Sequence, residues 1–223
     1  MSEFAAGPAG RIERVRALMV ERGYDAIVVR DEANLRWLTG VKGVFDYTFE
    51  FPHAAFITAD QCLFHTDSRY LNSFEENTPA GSPWVYDMDE GTIPGWVAGK
   101  IAANKCRVCA VEDDMQINFY QGIQRGLEDR SVACMLPLMH DDIRKMRAIK
   151  DAEEIELMRH AQSITDAAFQ HMLGFIKPGM TEKQVRNELE NFMFANGADS
   201  LAFGSIVRVV PTPPTRMPCR ATA

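Results

Sequence analysis

The 223-residue chain has a net charge of -7, with 46% hydrophobic and 25% charged residues, the mix of a soluble globular protein and not of a basic nucleic-acid or membrane-surface binder. No apolar run approaches the roughly 20 residues that span a bilayer, and the N-terminus lacks the apolar core of a secretory signal. Five scattered cysteines suit reduced thiols, so the expectation is a cytoplasmic protein of one large or two small domains.

Ile12, Val15, Leu18 and Met19 keep a helical period that Arg22-Gly23 stops. Asp25 to Val29 is a short apolar run of the buried-strand kind, and Asn34 to Thr39 reads as a short helix closed by Gly40. His53–Thr58 and Gln61–His65 read as two strands of a hairpin. Helices are predicted over Ser68–Glu76 and over Ile93–Ala103, where Pro94 suits the first turn. A strand over Arg107–Glu112, a helix over Gln116–Gly126 and a strand over Val132–Leu138 complete an alternating β and α pattern across residues 1–138. Such alternation predicts a mixed or parallel sheet with helices on its faces.

A second unit begins near His140. Asp151 and Glu154 have capping-box spacing, and so do Thr181 and Gln184. Between the boxes, Ile155, Met158, Gln162, Thr165, Phe169 and Met172 follow one stripe of a helix that Lys177-Pro178-Gly179 breaks. The next helix carries Val185, Leu189 and Phe192 and stops at Asn196-Gly197.

Few residues suggest chemistry. Cys106 and Cys109 have the spacing of a redox or zinc pair, but no second pair completes a site, and on a strand such positions face opposite ways. His160 and His171 could share a helix face; His53, His65 and His140 are not clustered with carboxylates. Asp113-Asp114 and Asp141-Asp142 flank predicted helix starts, where capping accounts for them. No nucleophile elbow, phosphate loop or dinucleotide fingerprint is present.

Four stretches taken in order resemble a known family. ERGYDAIVVRDEANLRWLTGV is similar to the opening of the creatinase-type N-terminal domain, and HTDSRYLNSFEEN to its strand-to-helix step. IRKMRAIKDAEEIELMRHAQSITDAAF resembles the hinge and first helix of the pita-bread catalytic domain, which FIKPGMTEKQVRNELENFMFANGADSLAFGSIV continues. The resemblance is to the creatinase/prolidase/Xaa-Pro aminopeptidase metallopeptidases of family M24. It implies an α/β fold: a creatinase-type N-terminal domain over 1–138, a mixed sheet flanked by helices and ribonuclease H-like. The incomplete start of a pita-bread α+β domain would follow over 139–207. It implies hydrolysis of the bond before proline in Xaa-Pro peptides by two divalent ions (Mn, Co or Zn) in an intact member, and a homo-oligomer. The family's metal ligands and catalytic residues lie beyond the matching region, so no catalytic residue, metal ligand or cofactor is expected in this chain. It is expected to be inactive, or to serve as a non-catalytic binding or oligomerisation module. Creatinase-like amidohydrolase or lyase activity is the alternative for the parent. The aromatic stretch around Phe45 and Tyr47 reads as a core loop or as a loop lining a partner's site.

After Val207 the family pattern Ala-Ser-Gly-x-Asn-(Ser/Thr)-Ala-x-Pro-His gives way to a proline-rich tail. A GC-rich back-translation of Thr212–Ala223, read two bases on, yields Thr-Ala-Asn-Pro-His, and Met217-Pro218 forces an alanine after that His codon. The expectation is therefore a frameshift near Val207, with 208–223 a disordered tail.

Overall fold

The computed structural model describes residues 7–41, 52–88 and 91–208. The chain divides into two units, Met1–Ile149 and Lys150–Ala223.

The first unit opens with α1 (Gly7–Arg22), β1 (Ala26–Val29) and α2 (Glu32–Thr39). β2 (Ala54–Thr58) and β3 (Cys62–His65) follow, then α3 (Leu71–Asn77), β4 (Val85–Asp87) and α4 (Ile93–Ala103). β5 (Cys109–Val111), α5 (Ile117–Glu128) and α6 (Asp142–Ala148) complete it. The strands form one mixed sheet in the order β4-β3-β2-β1-β5. β2 is antiparallel to β1 and β3, as a hairpin requires, while β1 is parallel to β5 and β3 to β4.

β1 is buried along its whole length, because helices cover both faces of the sheet. Its alternating side chains split between two cores. Ile27 and Val29 join Phe64, Leu38, Met139 and Ile143 on one face. Ala26 and Val28 join Phe56, Trp96, Ile101 and Ile123 on the other, beneath α4 and α5. Those two helices approach so closely that a Cβ on Gly126 would lie 2.7 Å from the Ala98 Cβ, and one on Gly122 2.8 Å from the Pro94 Cβ.

Gly40 ends α2 in the left-handed conformation at φ 68°, and its amide donates to the Arg36 carbonyl. A Cβ there would also stand 2.6 Å from the Pro8 Cγ. Replacing Gly40 by Ala should cost at least about 1 kcal/mol from the backbone alone. A urea titration followed by tryptophan fluorescence should therefore show an earlier midpoint, and an unchanged one would contradict this account.

The strand expected over Val132–Leu138 is reduced to two parallel bridges, Val108 with Met135 and Val111 with Leu138. The bonds present are Met135 N–H to the Arg107 carbonyl, Cys109 N–H to the Met135 carbonyl and Val111 N–H to the Pro137 carbonyl. In a continuous parallel ladder the next donor, to the Cys109 carbonyl, would be the amide of residue 137, and proline has none. The three-residue β4 escaped the sequence reading, and of the seven-residue α6 only the start beside Asp141-Asp142 was foreseen; each is too short to show a period.

The second unit contains α7 (Ala152–Phe175) and α8 (Glu182–Ala195). Both capping boxes form, with Asp151 accepting from the Glu154 amide and Thr181 from the Gln184 amide. His171 ties the helices together: its Nε2 lies 2.7 Å from Glu188 Oε1, and its ring stacks 4.3 Å from Phe192. Of the stripe expected on α7 only Met172 is buried, in a row that the stripe did not include. Ile164, Ala168 and Met172 are buried, whereas Ile155, Met158 and Phe169 are exposed, and the exposed row continues through Leu173 and Ile176.

Candidate functional site

The polar groups of the first unit gather where β1, β3, β4 and β5 end and β2 begins. This is the side of an α/β sheet where ligands ordinarily bind. Glu112, directly after β5, is the most buried carboxylate among the described residues. Its Oε2 accepts from the amides of Arg30 (2.6 Å) and Asp31 (2.8 Å), and its Oε1 from Asn34 Nδ2 (2.7 Å). Asn34 Oδ1 in turn accepts from Arg147 Nη1 at 2.8 Å, and Arg147 lies 3.6 Å from Asp31. Burial pushes the Glu112 carboxyl up to about 7, although the three N–H donors pull the other way. The group ties the end of β5 to the turn between β1 and α2.

His53 sits on the same side, fully buried, with Nδ1 3.0 Å from Thr66 Oγ1. Burial lowers it to about 4 against the opposing pull of Asp67. His65, at the end of β3, is buried edge-on to Trp96 at 5.0 Å. Asp67 accepts from Arg69 at both carboxylate oxygens, Oδ1 from Nε at 3.2 Å and Oδ2 from Nη2 at 2.7 Å. Trp96 Nε1 and Lys100 both reach Asp87, whose carboxyl stays low although burial raises it, because those two partners hold the charged form.

Cys106 and Cys109 do not face opposite ways. β5 begins only at Cys109, and both thiols enter the core under α4 and α5, with Cys134 packed against them. Burial raises Cys106 to about 11 and Cys109 well above the usual thiol range, which suits inert core thiols. The aspartate pairs are not side-chain caps: α5 is capped at Gln116, and Asp141 makes no side-chain cap bond. They meet each other instead. Asp113 Oδ2 accepts from the Asp141 amide (2.8 Å), Asp114 pairs with Arg144 (3.3 Å), and buried Asp142 pairs with Arg22 (3.3 Å) and Lys145 (3.4 Å). His160 and His171 are not brought together: one is exposed and the other is held at α8. Phe45 and Tyr47 lie outside the described residues.

The cleft beside Glu112, between Asn34 and Ile143, holds about 10 Å³, the space of a single water. A wider groove of about 400 Å³ runs between α5 and residues 132–136, lined by Arg107, Tyr120, Gln124 and Cys134. Neither contains a nucleophile beside a base. Among the described residues, no three His, Cys, Asp or Glu side chains are grouped to hold a metal ion. These residues therefore do not fit the two-metal centre implied by the resemblance. No helix among them is long and apolar enough to cross a membrane. The network around Glu112 was not foreseen; its one sequence signal was a carboxylate closing an apolar strand.

Two family models match the chain in sequence: the creatinase/prolidase N-terminal domain over residues 11–149, and metallopeptidase family M24 over 156–213, past Val207. The uncharacterized peptidase YqhT of Bacillus subtilis is 29% identical over 204 residues, covering 88% of this chain and 52% of the relative. The ectoine hydrolase of Halomonas elongata is 26% identical over 207 residues, covering 81% of this chain and 47% of its own. The solved Xaa-Pro dipeptidase of Bacillus anthracis superposes with a TM-score of 0.72 at 29% identity, covering 85% of this chain and 50% of that one. The chain thus spans about half the length of the relatives it matches. With its mixed helix-flanked sheet and these matches, the chain belongs to the creatinase/prolidase family of M24 metallopeptidases.

Proposed function

We propose that this chain is the N-terminal domain, with the opening of the catalytic domain, of an Xaa-Pro dipeptidase- or aminopeptidase-type enzyme. The intact parent hydrolyses the bond before proline in peptides; this chain by itself is catalytically silent. The ordered pair of family matches, 11–149 then 156–213, carries this reading. Two divalent ions held by residues outside this chain would activate water in the parent. The parent is a cytoplasmic homo-oligomer on this reading. The sequence puts the domain junction at 138/139, and the compact unit reaches Ile149.

The purified chain, assayed with manganese, cobalt or zinc and Xaa-Pro dipeptides, should release no amino acid. Measurable metal-dependent release would overturn the silent reading. We further infer that one base is lost near the Val207 codon. Inserting it should open a frame encoding Pro-His and then two Asp, one His and two Glu, and should bring activity; an early stop codon would refute the frameshift. The likeness to an ectoine hydrolase favours a second reading, an amidohydrolase acting on a non-peptide C–N bond. Assaying the restored protein on ectoine beside Xaa-Pro peptides separates the two.

A further inference from the structure

Asn34 is a buried side chain held between two charges. Its Nδ2 donates to Glu112 Oε1 at 2.7 Å, and its Oδ1 accepts from Arg147 Nη1 at 2.8 Å. A carboxylate can only accept and a guanidinium can only donate, so these two neighbours together fix which way the amide points. Arg147 belongs to the last turn of α6 and also lies 3.6 Å from Asp31.

The two oxygens of Glu112 are not equivalent. Oε2 accepts from the backbone amides of Arg30 and Asp31, which cannot turn away, whereas Oε1 accepts from the side chain of Asn34, which can. A proton reaching Glu112 through the water-sized cleft between Asn34 and Ile143 therefore settles on Oε1. Its O–H then confronts the Asn34 N–H, donor against donor, in a place where solvent does not relieve the clash.

We propose that Asn34 is a proton-operated coupling: when Glu112 takes up a proton, the Asn34 amide turns over, Oδ1 accepts from Glu112, Nδ2 is set against Arg147, and the last turn of α6 loses that fastening. The step consumes one proton and no other reactant. Arg147 keeps its ion pair with Asp31, so α6 loosens at its end and does not leave. Burial, by raising Glu112 to about 7, sets the change near neutrality. Arg30 and Asp31 face Glu112 from the turn after β1. Around the cleft stand Asp113 and Asp114, with Asp141, Asp142 and Arg144 from the start of α6. His140 lies 3.8 Å from Asp113, and it is the histidine that a control must exclude. The coupling lies within the first unit and goes beyond the peptidase reading, since it does not depend on what the parent hydrolyses.

Hydrogen exchange of the backbone amides of residues 145–148 in the full chain, corrected for the intrinsic effect of pH, reads the fastening. Between pH 8 and pH 6 their protection should fall by about fivefold, beyond any change in β1. Arg147→Met should begin at the lower protection and show no such fall. Glu112→Gln, whose amide offers Oε1 to the two backbone donors and Nε2 to Asn34, should stay at the lower level at both pH values. His140→Gln should respond as the wild type does. Equal protection at the two pH values in the wild type, a fall that persists in Arg147→Met, or a fall that vanishes in His140→Gln would each overturn the proposal. These three results stand even where Glu112→Gln does not fold.

Discussion

Replacing Phe64 by Ala should destabilise the first unit by about 3–5 kcal/mol, a large share of the roughly 5–15 kcal/mol that holds a domain together. Phe64 is fully buried in the middle of β3, and among the described residues four rings surround it: Phe74 at 4.5 Å, His53 and Tyr86 at 5.7 Å and Trp84 at 6.0 Å. Aromatic packing of this kind adds to the burial of area. Truncation would leave a cavity walled by large rings whose backbones belong to different elements, so collapse around it is limited. All three tryptophans, Trp37, Trp84 and Trp96, lie in this unit, so intrinsic fluorescence reports on it alone. Urea unfolding followed by fluorescence gives the value directly. Phe64→Leu, which keeps most of the volume, should cost much less. A loss below about 1 kcal/mol for the alanine variant would mean that the ring cluster does not hold the sheet to its helices.

The second large effect concerns pH, and it is concealed in the wild-type protein. Glu112 is raised to about 7 from an ordinary 4.5. Between those values the folded state binds more protons than the unfolded one, so this group's contribution to stability falls as pH rises. His53 is lowered to about 4 from 6.5. Between those values the unfolded state binds more protons, so its contribution rises with pH and is lost as pH falls through the folded value. The windows overlap from 4.5 to 6.5 with opposite signs. The pair should therefore leave a shallow net slope. Single substitutions unmask each component. His53→Gln should give stability that falls with rising pH, and Glu112→Gln stability that rises with it, each by about 2–3 kcal/mol across the overlap. Parallel slopes in the two variants would show that these groups do not govern the dependence.

Much of this architecture can be read from local signals. The bounds of α4, the two capping boxes and the left-handed Gly40 each depend on a few adjacent residues, and each appears where the spacing puts it. The network around Glu112 joins residues about 80 positions apart in the chain, and no local pattern announces such a partnership. The division of α7 into a buried and an exposed row was hidden because both rows are apolar and only neighbours distinguish them. The strand-alternation rule for Cys106 and Cys109 failed because the strand was assumed to start two residues before it does.

The glycines where α4 meets α5 bear on how this chain can vary. Every codon change at Gly126 that is not silent adds at least a methyl group, and the first atom added meets Ala98 at 2.7 Å. Gly122 faces the same obstacle at Pro94, while Gly174, in a helix with nothing within 4 Å, faces none. In a saturation library selected for soluble expression, positions 122 and 126 should stand out as nearly empty columns, whereas 174 accepts most residues. Acceptable change at the contact would have to arrive in pairs, with a smaller residue at 98 preceding a larger one at 126. The spacing between two helices thus becomes a constraint on the order in which substitutions can accumulate.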